Sequence, residues 1–183
     1  MDMNQVHQEC VSQLRAFTES IGCTEVIVGL SGGLDSSVTA ALCVEAFGAP
    51  CVHGVLMPGP FSSDHSLTDA HDLAERLGIE ARTFSIKGPF LAFEREFRQS
   101  YGEELAGLAA ENSQARCRMI VLMALSNQYG WMVVNTGNKS EAMMGYSTLY
   151  GDTAGAYAPI GGLYKTDVYA VSRWVNTRAE AAG

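Results

Sequence analysis

The chain has 183 residues, 47% of them hydrophobic and 17% charged, which fits one globular domain and excludes a disordered or fibrous protein. A net charge of −8 argues against a broad nucleic-acid surface. The longest apolar run, 119–125, has seven residues, far short of the ~20 that a membrane-spanning helix needs.

The amino terminus, MDMNQVHQEC, is polar and carries no basic segment of a secretory signal. Five cysteines (Cys10, Cys23, Cys43, Cys51, Cys117) form no CxxC pair and are odd in number. They are expected to be reduced core residues of a cytoplasmic protein.

In chain order, Val6, Cys10, Leu14, Phe17 and Ile21 recur at steps of three and four, predicting an amphipathic helix. Residues 25–30 (EVIVGL) read as a buried strand. A glycine turn follows, then a helix over 36–47 closed by Gly48 and Pro50. A second strand is expected over 51–57, a helix over 66–77 stopped by Gly78, and a weaker strand over 82–86. From 88 to 130 the pattern is helical with a break near Glu111, and its apolar stretch 118–125 is expected to be central or to lie in a subunit interface. Residues 131–136 (WMVVNT) read as a fourth strand and 166–176 as a final helix. This alternation predicts an α/β fold, a doubly wound parallel sheet with helices on both faces. Ligands then bind beyond the carboxyl ends of the strands, where the exits at Ser31 and Thr136 lie.

SGGLDSS, residues 31–37, stands between a buried strand and a helix. Gly32 and Gly33 permit positive φ and let N–H groups approach an anion, and the helix start favours bound phosphate. No lysine or arginine occurs between Arg15 and Arg76. The grip is therefore expected from backbone N–H groups, the hydroxyls of Ser31, Ser36 and Ser37, and a metal. The Walker lysine is missing and the glycine spacing of a dinucleotide fingerprint is absent. The order Ser-Gly-Gly-x-Asp-Ser resembles the PP-loop of ATP pyrophosphatases, which split ATP between its α and β phosphates. Read without that resemblance, Asp35 and Ser36 are helix-start residues.

Three later segments are ENSQARCR (111–118), TGNKSE (136–141) and GYSTLYGD (145–152), followed by Lys165. In this order, together with SGGLDSS, they resemble NAD+ synthetases over residues 26–176, most closely the synthetase domain of the glutamine-dependent enzymes. The resemblance implies that deamido-NAD+, ATP and ammonia give NAD+, AMP and pyrophosphate through an adenylated intermediate. It implies ATP contacts from Ser31, Gly32, Gly33, Asp35, Ser36, Thr136 and Lys165, with Mg2+ on Asp35 and Glu141. It places Asn112 and Arg116 against deamido-NAD+, and gives Asp152 and Lys165 catalytic roles, Asp152 as a possible proton acceptor from ammonium. It also implies a homodimer and a single synthetase domain over 1–183, lacking the family's C-terminal segment and with no glutaminase domain visible.

Blander readings stand beside these. Glu141 would cap the next helix, Lys165 would be merely exposed, and Arg118 is expected on a solvated helix face. Tyr146, Tyr150 and Tyr157 are expected to pack rather than stack on a ligand. Met119, Met123, Met143 and Met144 are expected to fill core or interface gaps, and His53 and His65 to be structural or solvated. The rival functions are another PP-loop synthetase of the GMP synthetase kind and a nucleotide-binding module that has lost catalysis.

Overall fold

A computed structural model describes residues 2–182. Four parallel strands, β1 (Val26–Leu30), β2 (Val52–Leu56), β3 (Glu80–Thr83) and β4 (Met132–Val134), lie in the order β3-β2-β1-β4. The register pairs Val26 of β1 with Val52 of β2 and with Met132 of β4. Strands β1, β2 and β4 are thus flush at their start, and the carboxyl ends of the sheet form one edge.

The pleat sorts the side chains of β1 to two cores. Val26, Val28 and Leu30 face a cluster built with α1 (Met3–Ser20), α2 (Leu34–Phe47), α3 (Asp64–Leu77) and α7 (Lys165–Ala182). Ile27 faces the other way, into a cluster with Val55, Ile86, Met119, Val121, Leu122 and Val133. There α5 (Gly107–Tyr129) covers the sheet, flanked by α4 (Lys87–Tyr101). The sheet is therefore doubly wound, as its sequence pattern predicts. Fully buried Leu14, Ile27 and Leu42 each contribute about 1.5–3 kcal/mol of transfer free energy.

Some boundaries differ from the sequence expectation. The helical break falls at 102–106, where Gly102 takes φ 72° and ends α4, and not near Glu111. Helix α3 begins two residues earlier than expected because Ser63 caps it, accepting from the Ser66 N–H. Met143 and Met144 are exposed and so fill no gap in this chain's core; Tyr146 and Tyr150 are also exposed, contrary to the packing expected of them, whereas Tyr157 packs against Phe17. Met119 is buried and Met123 partly exposed. None of the five cysteines is paired, and burial pushes the Cys43 thiol up to about 12. His53 is structural: it stacks on Trp131 at 3.6 Å and shares the Glu25 carboxylate with the Trp131 indole N–H. His65 pairs with Asp69 on the exposed face of α3. No helix among the described residues is long and apolar enough to cross a membrane.

His7 of α1 fastens α2 and α7. It is buried, lies 3.0 Å from a Glu45 carboxylate oxygen and meets the Trp174 ring at 4.5 Å, while Arg178 lies over that ring and near Glu45. Burial, the largest influence, lowers the His7 pKa; Glu45 opposes this and Arg178 reinforces it. Neutral His7 thus contributes stability that is present above the unfolded pKa of about 6.5 and is lost as pH falls through the lower folded value. Urea unfolding of His7→Gln should show about 1–3 kcal/mol less stability than wild type at pH 7.5. It should also show a shallower fall between pH 7 and 5. Parallel pH curves for the two proteins would remove His7 from this role.

Candidate active site

The strand order places β2 and β4 on opposite sides of β1, so the chain reverses its winding direction between β1 and β4. Ligand crevices form at such a point, beyond the strand ends. Two clefts open there, of about 440 and 410 Å3, sharing Ser31, Asn135, Thr136 and Asp152.

The 31–37 loop leaves β1 and enters α2. Gly32 takes φ 77°, and its missing Cβ is required: one built there would sit 2.3 Å from the Ser66 carbonyl oxygen. Gly33, the α2 N-cap residue, has φ −91°, so only Gly32 uses the positive φ that both glycines permit. The serine hydroxyls hydrogen-bond within the loop. Ser36 Oγ is buried, accepts from the Ser31 N–H and donates to the Gly33 carbonyl, to which Ser37 Oγ also donates. Ser31 Oγ accepts from the Gly33 N–H and lies 3.0 Å from Ser36 Oγ. These bonds fix the loop's shape at the start of α2.

The second cleft gathers Ser31, Gly33, Asp35, Ser36, Thr136, Glu141 and Asp152. Asn138, buried at 2% exposure, ties the Asp35 and Glu141 carboxylates together. Its side-chain amide donates to Asp35 at 3.3 Å, and its backbone N–H donates to Glu141 at 3.0 Å. Asn138 and Glu141 form the capping box of α6 (Lys139–Met144), so Glu141 does act as a cap. Lys165, at the start of α7, is not merely exposed: its ammonium pairs with the Asp35 carboxylate. No group of three His, Cys, Asp or Glu among the described residues forms a ready metal cage. Two linked carboxylates beside a phosphate loop nevertheless fit Mg2+, which binds through one or two carboxylates and the substrate's phosphates.

The first cleft is lined by several large apolar side chains, among them Met57, Phe61, Met119 and Leu122. Its floor is Gly29, where an added Cβ would lie 3.0 Å from Met57 Cε and 3.6 Å from Leu122 Cδ1. Arg118 forms part of its wall, donating Nε–H to the Met57 carbonyl at 3.1 Å. The expectation of a solvated Arg118 is therefore incorrect. Arg118 is half-buried beside the carboxyl end of β2, and burial lowers its guanidinium pKa.

Asn112 and Arg116 line neither cleft. Asn112 accepts from Thr148 Oγ1 at 2.8 Å, and Arg116 donates Nε–H to the Leu149 carbonyl at 3.1 Å. Both fasten the 145–152 loop, whose Asp152 reaches both clefts while accepting from the Thr148 N–H at 2.6 Å. Three residues escaped the sequence reading. Asn135 donates to the Asp152 and Ala154 carbonyls and accepts from the Gly137 N–H, shaping the Thr136 turn. Gln114 is buried against Gly59. Asn138 carries the third missed role, although the spacing Asn138-x-x-Glu141 is itself a capping-box signal.

Comparison with known proteins agrees with this geometry. The NAD synthase family model matches residues 6–180. A glutamine-dependent NAD(+) synthetase of Thermotoga maritima is 43% identical over 94% of this chain and 30% of its own length. An NH(3)-dependent NAD(+) synthetase of Methanosarcina acetivorans is 41% identical over 94% of this chain and 67% of its own. The structure of a glutamine-dependent NAD+ synthetase from Acinetobacter baumannii, solved with ADP, superposes with a TM-score of 0.93 at 38% identity, covering 97% of this chain and 34% of that one. The chain thus spans about a third of the length of its glutamine-dependent relatives. With a match across nearly all of its residues, this chain belongs to the NAD synthase family.

Proposed function

We propose that this chain is a single ATP-dependent synthetase domain that amidates deamido-NAD+ to NAD+, consuming ATP and ammonia and releasing AMP and pyrophosphate. The observation that carries this reading is the convergence of the 31–37 loop, Asp35, Glu141 and Lys165 around one cleft at the β1/β4 reversal. The base of ATP enters the apolar cleft over Gly29, and its phosphates run past Ser31 and Thr136 to the start of α2.

Asp35 and Glu141 would hold Mg2+, which when bound neutralises charge on the phosphates. The remaining work belongs to the chain. Backbone N–H groups at Gly32 and in the first turn of α2 cradle the β and γ phosphates as they leave. The Lys165 ammonium, held by Asp35, stands where it can offset charge on the attacked α-phosphate. The nicotinate carboxylate attacks that phosphorus, expelling pyrophosphate and forming an acyl adenylate. Ammonia then attacks the carbonyl carbon and AMP leaves. Asp152, at the junction of both clefts, is placed to accept the proton that ammonium must lose. Asn112 and Arg116 act on deamido-NAD+ through the loop that they fasten.

The exposed apolar residues Leu108, Ile120 and Met123 on α5 support a homodimer, and the unpaired cysteines are consistent with a cytoplasmic location.

The test is product analysis with deamido-NAD+, ATP and ammonia. AMP and pyrophosphate should appear in equal amounts with NAD+, and deamido-NAD+ should bind better than xanthosine monophosphate. ADP as the steady product would reject the class. Tighter binding of xanthosine monophosphate would favour a synthetase of the GMP type.

A further inference from the structure

We infer that Asn138 is a positioning residue for the metal: its amide nitrogen sets Asp35 against Glu141, and Mg2+ affinity depends on that one contact. This rests on the proposed Mg2+ role of the two carboxylates and adds a residue that acts only through them.

The atoms of Asn138 divide between two tasks. Its Oδ1 accepts from the Glu141 N–H at 3.0 Å, and its own backbone N–H donates to Glu141 Oε2 at 3.0 Å. These two bonds are the capping box, which a serine would build as well. Because Oδ1 faces a donor, the other end of the amide is the NH2 group. It lies 3.3 Å from Asp35 Oδ1, across 103 positions of sequence. Capping has no use for that nitrogen. Its only partner is the carboxylate of another helix.

Asp35 belongs to α2, after β1, and Glu141 to α6, after β4, so their separation is set between helices and not within one. Asn138 donates one N–H to each carboxylate, and each accepting oxygen keeps a second lone pair. The carboxylates are therefore oriented without being saturated. The turn that carries Asn138 is itself anchored. The Lys139 N–H donates to the Leu163 carbonyl at 2.8 Å, and Ser140 Oγ accepts from the Lys165 N–H at 3.0 Å. The Lys165 ammonium returns to Asp35 Oδ2, which closes a ring of contacts through Asn138. Mg2+ demands near-ideal octahedral geometry at about 2.0–2.1 Å, so a small shift of either carboxylate is felt in affinity. Partners that orient a ligating carboxylate are worth roughly 10- to 100-fold in metal affinity.

Asn138→Ser separates the two tasks, because serine keeps the cap but has no amide to reach Asp35; Asn138→Ala loses both. The test is calorimetric ATP binding across a series of Mg2+ concentrations, with urea unfolding of each protein. Both Asn138 variants should need roughly 10- to 100-fold more Mg2+ than wild type for half of its effect on ATP binding. The urea midpoint should fall further in Asn138→Ala than in Asn138→Ser, because only alanine removes the cap. Without Mg2+, wild type and Asn138→Ser should bind ATP within a few-fold of each other. In an Asp35→Asn background, Asn138→Ser should add little, because it acts through Asp35. If Asn138→Ala fails to fold, Asn138→Ser and the double variant carry the same test. A wild-type Mg2+ requirement in Asn138→Ser would overturn the inference and leave Asn138 only its cap. So would a fully additive loss in the double variant, or an equal loss of ATP affinity with and without Mg2+, which marks a general distortion of the cleft. Wild-type ATP binding that ignores Mg2+ would instead overturn the metal reading beneath it.

Discussion

Alanine at position 32 should abolish measurable ATP binding and lower the unfolding free energy by about 2–4 kcal/mol. Gly32 has φ 77°, a conformation that costs an L residue about 1–2 kcal/mol. Its new methyl would also lie 2.3 Å from the Ser66 carbonyl oxygen, 2.9 Å from Ser66 Cα and 3.0 Å from its carbonyl carbon. All three atoms are backbone in the first turn of α3, so no side-chain rotation relieves the clash. Either the loop or the helix must move, and the N–H groups proposed to cradle phosphate move with the loop. Gly33→Ala is the control: φ is −91° there, and the new Cβ meets only the movable Ser31 hydroxyl, at 3.3 Å. Urea unfolding and ATP calorimetry on both variants check this. Wild-type ATP affinity in Gly32→Ala would mean that the loop does not hold the phosphates.

Asp35→Asn should weaken Mg2+-dependent ATP binding by roughly 10- to 100-fold with little loss of fold. Asp35 lies in the first turn of α2, paired with Lys165 and accepting from the Asn138 side chain. Asparagine keeps the shape and one carbonyl acceptor, so the contact with Asn138 can persist. It removes the charge that would attract a divalent cation and that holds the Lys165 ammonium. Titrating Mg2+ at fixed ATP separates the two effects. Without Mg2+ the variant and wild type should bind ATP within a few-fold of each other, and the gap should open as Mg2+ is added. Superimposable Mg2+ curves would leave Asp35 only its helix-start role.

The sequence by itself determined the layers and the loop. Alternation of β-branched runs with helical periodicity is a local property, and the observed strands and helices follow it to within a few residues at their ends. Gly32 was legible for the same reason, since a strand, a glycine turn and a helix in immediate succession leave little choice of path. Helix α5 marks where such reading stops. Residues 118–125 are apolar nearly all round, so periodicity could not say which side meets the sheet, and Arg118 was assigned to solvent. Packing against β2 decided otherwise, across 61 positions of sequence. The pairing of Asp35 with Lys165 spans 130 positions, and that of Asp35 with Asn138 spans 103. Asn112 and Arg116 meet the 145–152 loop across 36 and 33 positions, contacts that helical spacing alone does not give. Backbone preference acts over three or four residues, but the meeting of side chains from distant segments depends on how strand ends align. The parallel register and the reversal between β1 and β4 set that alignment, and they exist only once the sheet has formed.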